Sequence, residues 1–242
     1  MKTYHWHVEI NRKRQAIVSE VGWRFENAGG YLMTDRGRLI SSEDSRARCG
    51  VSHCLRSRFL SVDILEIRQT LRNTSSLPLR ISEIAMLRGS VELEGDGWQL
   101  AHGELFKAER YFGGCSFYTG GLFAAARGFE GELGLSEDTP FPGLFFVHPE
   151  RGAVLMAALS QERCKPQWRL NWRKGTLDLT ARDFFSGISA IPVQPGKTFE
   201  SERWVLIASR EGMGGALRRY YELEFIWNRN LSMKFHFSLT QA

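Results

Sequence analysis

Apolar and polar residues alternate along most of this chain, and the clearest stretch runs from Ser61 to Arg72. Leu65 and Ile67 share one side of the pattern against charged neighbours, as in a half-buried strand. The polar block 73–76 ends this run, and Pro78, which cannot donate a ladder hydrogen bond, marks the start of a second amphipathic strand. The pattern predicts a central hairpin, the repeating unit of an antiparallel sandwich.

Similar runs recur along the chain, with turn signals at short intervals. Residues 27–30 and 41–50 are predicted as loops, and only Ala216 to Phe225 has helical spacing. We therefore predict an all-β fold of two large antiparallel sheets packed face to face, with a short C-terminal helix. The further strand-like runs are 4–10, 16–25, 31–40, 98–106, 141–148, 153–159, 167–172, 176–180, 188–193 and 198–208.

Composition narrows the class of protein. A chain of 242 residues that is 43% hydrophobic is long enough for one large domain. The net charge of +5 is spread among acidic residues, and the one dense basic patch lacks a nucleic-acid motif, so we expect no nucleic-acid partner. The basic patch consists of Arg46, Arg48, Arg56 and Arg58.

No apolar run approaches the roughly 20 residues that span a membrane. The first residues lack the zones of a secretory signal, so we expect a cytoplasmic location with reduced thiols.

Several segments of the second half carry a family resemblance. These are the turn and buried strand Gly152–Ser160, the run Ile191–Glu202 with its Pro195-Gly196 turn, the break Ser209–Gly212, and the helix onset Arg218–Tyr221. In this order and spacing they resemble the end of the N-terminal β-supersandwich domain of melibiase-type α-galactosidases. The resemblance implies a galactose-mutarotase-like supersandwich over residues 1–222.

The chain departs from that family after the helix. The resemblance implies a following barrel with a nucleophile and an acid/base, two carboxylates that retaining enzymes hold about 5 Å apart. Residues 223–242 look like a remnant of the start of such a barrel, and residues 231–242 contain no Asp or Glu. The arginine–glutamate and arginine–glycine signatures expected within the domain are not clear over 100–121. We therefore expect no glycoside hydrolysis.

The resemblance implies a non-catalytic, carbohydrate-associated domain. Such a domain would bind sugar weakly, pack against a catalytic barrel, or form a homo-oligomer. Two alternatives stay open: a mutarotase-like or epimerase-like sugar enzyme, and a protein-interaction module with exposed strand edges.

Mutarotase-like enzymes share a related fold and pair a histidine with a carboxylate to transfer protons. His102 with Glu104 and His148 with Glu150 are the candidate pairs in this sequence. The alternative is that these histidines are solvated or hydrogen-bonded within the fold.

Aromatic rings and polar side chains provide candidates for sugar binding. Aromatic faces stack on pyranose rings, and Arg and Asn side chains bind hydroxyl groups. Trp168 and Trp172 share one strand face, and the alternative is that the tryptophans belong to the core. The candidates are Trp98, Tyr111, Trp168 and Trp172, with Arg169, Asn171 and Arg182 as polar partners.

The four cysteines offer one candidate metal site. Cys49, His53 and Cys54 could supply three zinc ligands, with Cys115 or Cys164 as a fourth. Structural zinc sites usually contain paired ligand motifs, which are missing here. The sequence also contains no P-loop and no dinucleotide-binding fingerprint, so we expect neither a metal nor a cofactor.

Overall fold

The computed structural model describes residues 6–11, 14–41, 50–105, 115–121, 129–134, 141–159, 165–173, 176–184 and 190–224. Within these residues the chain forms seventeen strands and one helix, α1, over 212–224. The strands are β1 (Trp6–Asn11), β2 (Arg14–Ser19), β3 (Trp23–Thr34), β4 (Leu39–Ser41), β5 (Val51–Phe59), β6 (Ile64–Asn73), β7 (Leu79–Leu93), β8 (Gln99–Leu105), β9 (Cys115–Gly121), β10 (Phe129–Gly134), β11 (Gly143–His148), β12 (Gly152–Ala158), β13 (Lys165–Arg173), β14 (Thr176–Phe184), β15 (Ile191–Val193), β16 (Thr198–Glu200) and β17 (Trp204–Ser209).

The strands form two antiparallel sheets. Across the described residues, the nine-stranded sheet runs β1-β2-β3-β7-β14-β13-β10, with β4 paired to β3 and β15 paired to β7. The eight-stranded sheet runs β16-β6-β17-β12-β11-β8-β9, with β5 paired to β6. The predicted all-β supersandwich with a C-terminal helix is confirmed.

The main core lies between the two sheets. On β17, Trp204 and Leu206 point into this core, whereas Val205 and Ile207 point to the opposite face, and all four are buried. Successive side chains alternate across a strand, so a strand that is covered on both faces must be apolar throughout. The same reason explains the unbroken apolar sequence of β12, which is buried along its whole length.

A second, smaller core lies on the outer face of the eight-stranded sheet, where α1 covers it. Ala216 and Tyr220 of α1 are buried there. The Tyr220 hydroxyl donates to the Ala158 carbonyl oxygen at 2.8 Å, and its ring meets Phe141 edge-on at 5.4 Å. In the described part of the chain, no helix has the length and hydrophobicity needed to cross a membrane.

The predicted central hairpin is wrong in its pairing. β6 hydrogen-bonds to β5, β16 and β17 in the eight-stranded sheet, whereas β7 pairs with β3, β14 and β15 in the other sheet. The polar block therefore crosses between the sheets. Asn73 stabilises the crossing, because its Nδ2 donates to the carbonyl oxygens of Leu77 and Val193 at 2.8 Å each. Alternation predicts which face of a strand is buried, but not which strand lies beside it.

Other element boundaries also differ from the prediction. Residues 27–30, predicted as a loop, lie within β3, and the run 16–25 is divided between β2 and β3 by a turn. The predicted final strand 198–208 is two strands, β16 and β17, which both pair with β6. α1 begins at Gly212 rather than Ala216, because glycines weaken a helical pattern without excluding it. Most of the predicted loop 41–50, and the tail from residue 225, lie outside the described residues.

Candidate functional site

β3 departs from regular pairing with β7 near its middle. The register shifts between Glu26 and Gly29, and again between Gly29 and Tyr31. Asn27 has a φ of 55°, in the left-handed region that asparagine tolerates. Such bulges redirect side chains, and here they border a cavity of about 250 Å³, hereafter the bulge pocket. Its lining residues are Asn27, Gly29, Gly30, Tyr31, Leu39, Ser41, Arg88 and Gly89.

Two of the lining glycines permit close packing beneath the bulge pocket. A Cβ on Gly89 would collide with the Glu26 carbonyl oxygen, and one on Gly30 would collide with the Gln69 side chain. The bulge therefore depends on glycine at both positions.

A polar network extends from the bulge pocket across four strands of the nine-stranded sheet. The Tyr31 hydroxyl donates to Glu83 Oε1 at 2.7 Å, and Arg182 Nη1 donates to Glu83 Oε2 at 3.1 Å. Arg182 also donates to Gln167 Oε1 from Nη2 at 2.7 Å and from Nε at 3.1 Å. Burial, with the Glu83 hydrogen bond, raises the pKa of Tyr31 to about 12. The phenol is therefore protonated and held in place at neutral pH.

Arg88 supplies a positive charge at the bulge pocket. Its guanidinium carbon lies 5.9 Å from the centroid of the Tyr31 ring, at cation–π distance. The Arg88 side chain is exposed, and no ion pair joins it to an acid within the described residues. The described lining includes an amide, hydroxyls and this guanidinium, but no His, Asp, Glu or Cys. These groups can donate hydrogen bonds to a polar ligand and accept them from it.

Neither predicted histidine–carboxylate pair is among the described residues that line the bulge pocket. His148 is buried, its Nε2 hydrogen-bonds the Asp96 carbonyl oxygen at 2.8 Å, and its Nδ1 accepts from the amides of Glu150 and Arg151 at 3.1 and 3.2 Å. Both ring nitrogens thus bind the main chain and hold the turn before β12. His102 and Glu104 lie on β8, but their side chains are outside the described part of the structure.

The predicted tryptophans that the structure describes belong to the core. Trp168 is 0% exposed and meets Trp204 edge-on at 5.6 Å, while Trp98 is 1% exposed and donates to the Glu94 carbonyl oxygen at 3.1 Å. Neither ring is exposed to a ligand, because both lie in the main core between the two sheets. Tyr111 and the side chain of Trp172 lie outside the described residues.

The predicted polar partners lie on the strands of the network. Arg182 is part of it, and the charge of Arg169 acts on Tyr31. Asn171 is half-buried, and its Oδ1 has no hydrogen-bond partner among the described residues. Tyr31 and Arg88 were not among the predicted site residues. The available signal was Asn27 with two glycines inside an alternating run, a pattern typical of a bulge as well as of a loop.

His53 and Cys54, the two candidate zinc ligands whose side chains the structure describes, do not converge. His53 and Cys54 point to opposite faces of β5, with His53 buried and Cys54 exposed. Over the part of the chain that the structure describes, no three His, Cys, Asp or Glu side chains come together as a metal site. Cys49, Cys164 and the side chain of Cys115 are outside that part.

No protein-family model and no curated protein matches this sequence. Solved structures match over most of the chain. The α-galactosidase from Lactobacillus brevis has 10% identity and a TM-score of 0.56, over 92% of this chain and 27% of that chain. The α-galactosidase AgaB from Geobacillus stearothermophilus has 11% identity and a TM-score of 0.56, over 92% and 32%. A raffinose complex of an AgaA variant from the same organism has 12% identity and a TM-score of 0.55, over 92% and 32%.

These similarities establish the fold. The chain has the β-sandwich fold of the N-terminal domain of α-galactosidases, and the resemblance read from the second half of the sequence is confirmed at this level. The chain spans about a third or less of the length of the solved chains, 27% to 32%.

Proposed function

We propose that this chain is a non-catalytic, carbohydrate-associated domain that binds one unit of a neutral saccharide in the bulge pocket. The observation that carries the proposal is the described lining, which offers hydrogen-bonding groups without a carboxylate, an imidazole or a thiol. The similarity in fold to α-galactosidases supports a saccharide as the ligand class.

Arg88 and Asn27 are the groups that we expect to contact sugar hydroxyls, since both are exposed. Tyr31 fixes the position of Arg88 and is itself only 8% exposed, so it forms a wall rather than a stacking platform. A cavity of about 250 Å³ holds a single sugar unit. Because so small a contact must offset the loss of rotational and translational freedom, we expect a dissociation constant on the order of 1 mM.

Titration of isotope-labelled protein with galactose and with raffinose, followed by NMR, tests the proposal. We expect saturable shifts at the bulge pocket, and Arg88→Ala should weaken binding about tenfold by removing a charged hydrogen-bond donor. Arg36→Ala is the matched control, because Arg36 is an exposed arginine on the turn between β3 and β4. A lack of saturable shifts, or equal effects of the two substitutions, would contradict the proposal.

The mutarotase-like alternative makes a different prediction. Anomer interconversion of common aldoses, and hydrolysis of an aryl α-galactoside, should proceed no faster with the protein than in buffer. An enhanced rate that is lost in His102→Ala or His148→Ala would favour the enzyme instead.

A second candidate role, packing against a catalytic barrel or a second copy, is favoured by the edge strand β5. Within the described residues β5 pairs with β6 alone and forms an edge of the eight-stranded sheet, the position at which another strand can add. Light scattering after size-exclusion chromatography, with and without residues from Leu223 onward, tests this role. A strict monomer in both forms would count against self-association.

A further inference from the structure

Four arginines lie on one outward strip of the eight-stranded sheet. They are Arg56 and Arg58 on β5 and Arg68 and Arg72 on β6, hereafter the arginine strip. Leu65 and Ile67 of β6 face the main core, so the even-numbered side chains of β6 face outward. α1 covers the middle of this outer face, and the arginine strip lies beside the covered area.

A buried carboxylate positions part of the arginine strip. Glu66 is 3% exposed, and its Oε2 accepts from Arg58 Nε and Nη2 at 3.1 and 2.8 Å. Its Oε1 accepts from Arg68 Nε at 3.2 Å and from Arg203 Nε. Burial alone would raise the pKa of Glu66, but the hydrogen bond from Arg203 and the charges of the arginines lower it. Glu66 is therefore ionised, and it holds the Arg58 and Arg68 guanidinium groups in defined positions.

The remaining arginines of the strip are not neutralised in this way. Arg56 and Arg72 are exposed, and neither has an acidic partner within the described residues. Arg56 lies directly across the ladder from Arg68, an arrangement of like charges that costs stability. Glu200 contacts Arg68 at 3.4 Å. Over the described residues, the carboxylates of Glu66 and Glu200 therefore offset only part of the positive charge of the strip.

The spacing of these groups suits an extended anionic chain. Alternate residues on a strand are about 6.8 Å apart. The cross-strand pair that contains Arg58 lies three such steps from the pair that contains Arg72, so the arginine strip extends about 20 Å along the strands. Small polar side chains, Cys54 and Thr70, lie between the arginines. Among the described residues, the outward side of the strip carries no aromatic ring of the kind that dominates protein interfaces or stacks on single-stranded bases. Phe59, which is exposed at the end of β5, alternates to the other side of the strand.

We propose that the arginine strip binds an acidic polysaccharide, through guanidinium–carboxylate pairs to uronic acid units. Arginine binds carboxylates with two parallel hydrogen bonds, and several such weak contacts along one polymer add together. The choice of a polysaccharide over another polyanion rests on the carbohydrate role proposed above.

Binding of polygalacturonate at low salt, measured by calorimetry, tests this proposal on the full chain. We expect binding that weakens as salt is added, and a loss of about tenfold in affinity in Arg56→Ala/Arg72→Ala, since two exposed charge pairs are removed. The matched control is Arg36→Ala/Arg38→Ala, which removes the same charge from an exposed turn of the other sheet. Thermal unfolding should show no loss of stability in either double variant.

Measurements with other ligands separate the possible outcomes. A neutral galactan should not bind the arginine strip, and galactose binding at the bulge pocket should be unchanged in Arg56→Ala/Arg72→Ala, so failure of one site is distinguishable from failure of the other. No binding of polygalacturonate, or equal losses in the two double variants, would overturn the proposal. So would tighter binding of polyglutamate or of single-stranded DNA, which would assign the strip to an acidic protein or a nucleic acid.

Discussion

His53 and Gln69 form a buried polar link between the two sheets. His53 Nε2 hydrogen-bonds Gln69 Oε1 at 2.7 Å. The Gln69 side-chain amide in turn donates to the carbonyl oxygens of Ala85 and Met86, the latter at 3.2 Å. Gln69 belongs to β6 and Ala85 to β7, so this link joins the two sheets. Buried polar groups must be satisfied in this way, or their desolvation costs stability.

The position of His53 predicts a pH dependence of stability. Burial lowers the pKa of His53 below its ordinary value of 6.5, and the Gln69 hydrogen bond opposes this only in part. The unfolded chain therefore binds a proton at a pH where the folded protein does not. This contribution to stability is present above the unfolded pKa and is lost as the pH falls toward the folded pKa. Urea unfolding at pH 7.5 and pH 5.5 should show it.

His53→Gln should reduce that pH dependence, because glutamine does not titrate. The matched control is His7→Gln, since the His7 side chain is 55% exposed and hydrogen-bonds only Glu9 among the described residues. Equal pH slopes in the native protein and in His53→Gln would contradict the assignment.

At the residue scale, the sequence predicts the burial of a side chain better than it predicts the function of that side chain. Alternation correctly placed Leu65 and Ile67 in the core. The burial of Trp168 also follows from alternation, because its neighbours along β13 are polar, yet the same residue was a candidate for sugar stacking. A tryptophan on one strand face has the same pattern whether that face meets a second sheet or a ligand.

The turn before β12 depends on one glycine. Gly152 has a φ of +116°, and a Cβ there would collide with the Ser209 carbonyl oxygen of the neighbouring strand. Gly152→Ala should therefore cost more than about 3 kcal/mol, from backbone strain together with displacement of β17. Gly196 provides the control, because its φ is also positive, at +73°, while the space around it is open. Gly196→Ala should cost about 1 kcal/mol, as measured by denaturant unfolding. Equal losses would show that the contact with Ser209 is unimportant.

Glu224 lies in the last described turn of α1, where burial makes its negative charge unfavourable. Burial raises the pKa of Glu224. Since the folded pKa is raised, stability is full below the unfolded pKa and is lost as the pH rises through the folded pKa. Glu224→Gln should therefore stabilise the protein at pH 7 by about 0.5 kcal/mol, allowing for the solvent that still reaches the group.

At pH 4 the benefit of Glu224→Gln should shrink, because the carboxyl is then largely protonated. Glu222→Gln is the control within the same turn, since Glu222 forms an exposed ion pair with Arg219 at 3.0 Å. Thermal unfolding of both variants at the two pH values measures the effect. A benefit of Glu224→Gln that persists at pH 4 would point to a cause other than charge.

At the element scale, strand identity was predictable and strand pairing was not. Period-two alternation reports local backbone geometry, so most strands were found near their observed positions. Pairing depends on which surfaces meet after the chain turns, and the Asn73 crossing has the same composition as a hairpin turn. The bulge in β3 was hidden for a similar reason, because glycine and asparagine favour loops and bulges alike.

The whole molecule is a sandwich with an additional covered face. The eight-stranded sheet is buried between the main core and α1, so β11, β12 and β17 are apolar on both sides. This arrangement makes α1 part of the folded body. The exposed parts of the two outer faces then differ in character, with a small pocket on the nine-stranded sheet and the arginine strip on the other.

Tyr220 tests whether α1 and the sandwich unfold as one unit. It is 2% exposed, it contacts Phe141, and it hydrogen-bonds Ala158, so Tyr220→Ala leaves a cavity against the eight-stranded sheet. We expect a loss of about 3 kcal/mol in global stability, with helical and sheet signals in circular dichroism changing together. Tyr221→Ala should change stability little, because Tyr221 is 45% exposed. Loss of the helical signal before the sheet signal would instead mean that α1 is an independent appendage, and the second core would then not contribute to the stability of the sandwich.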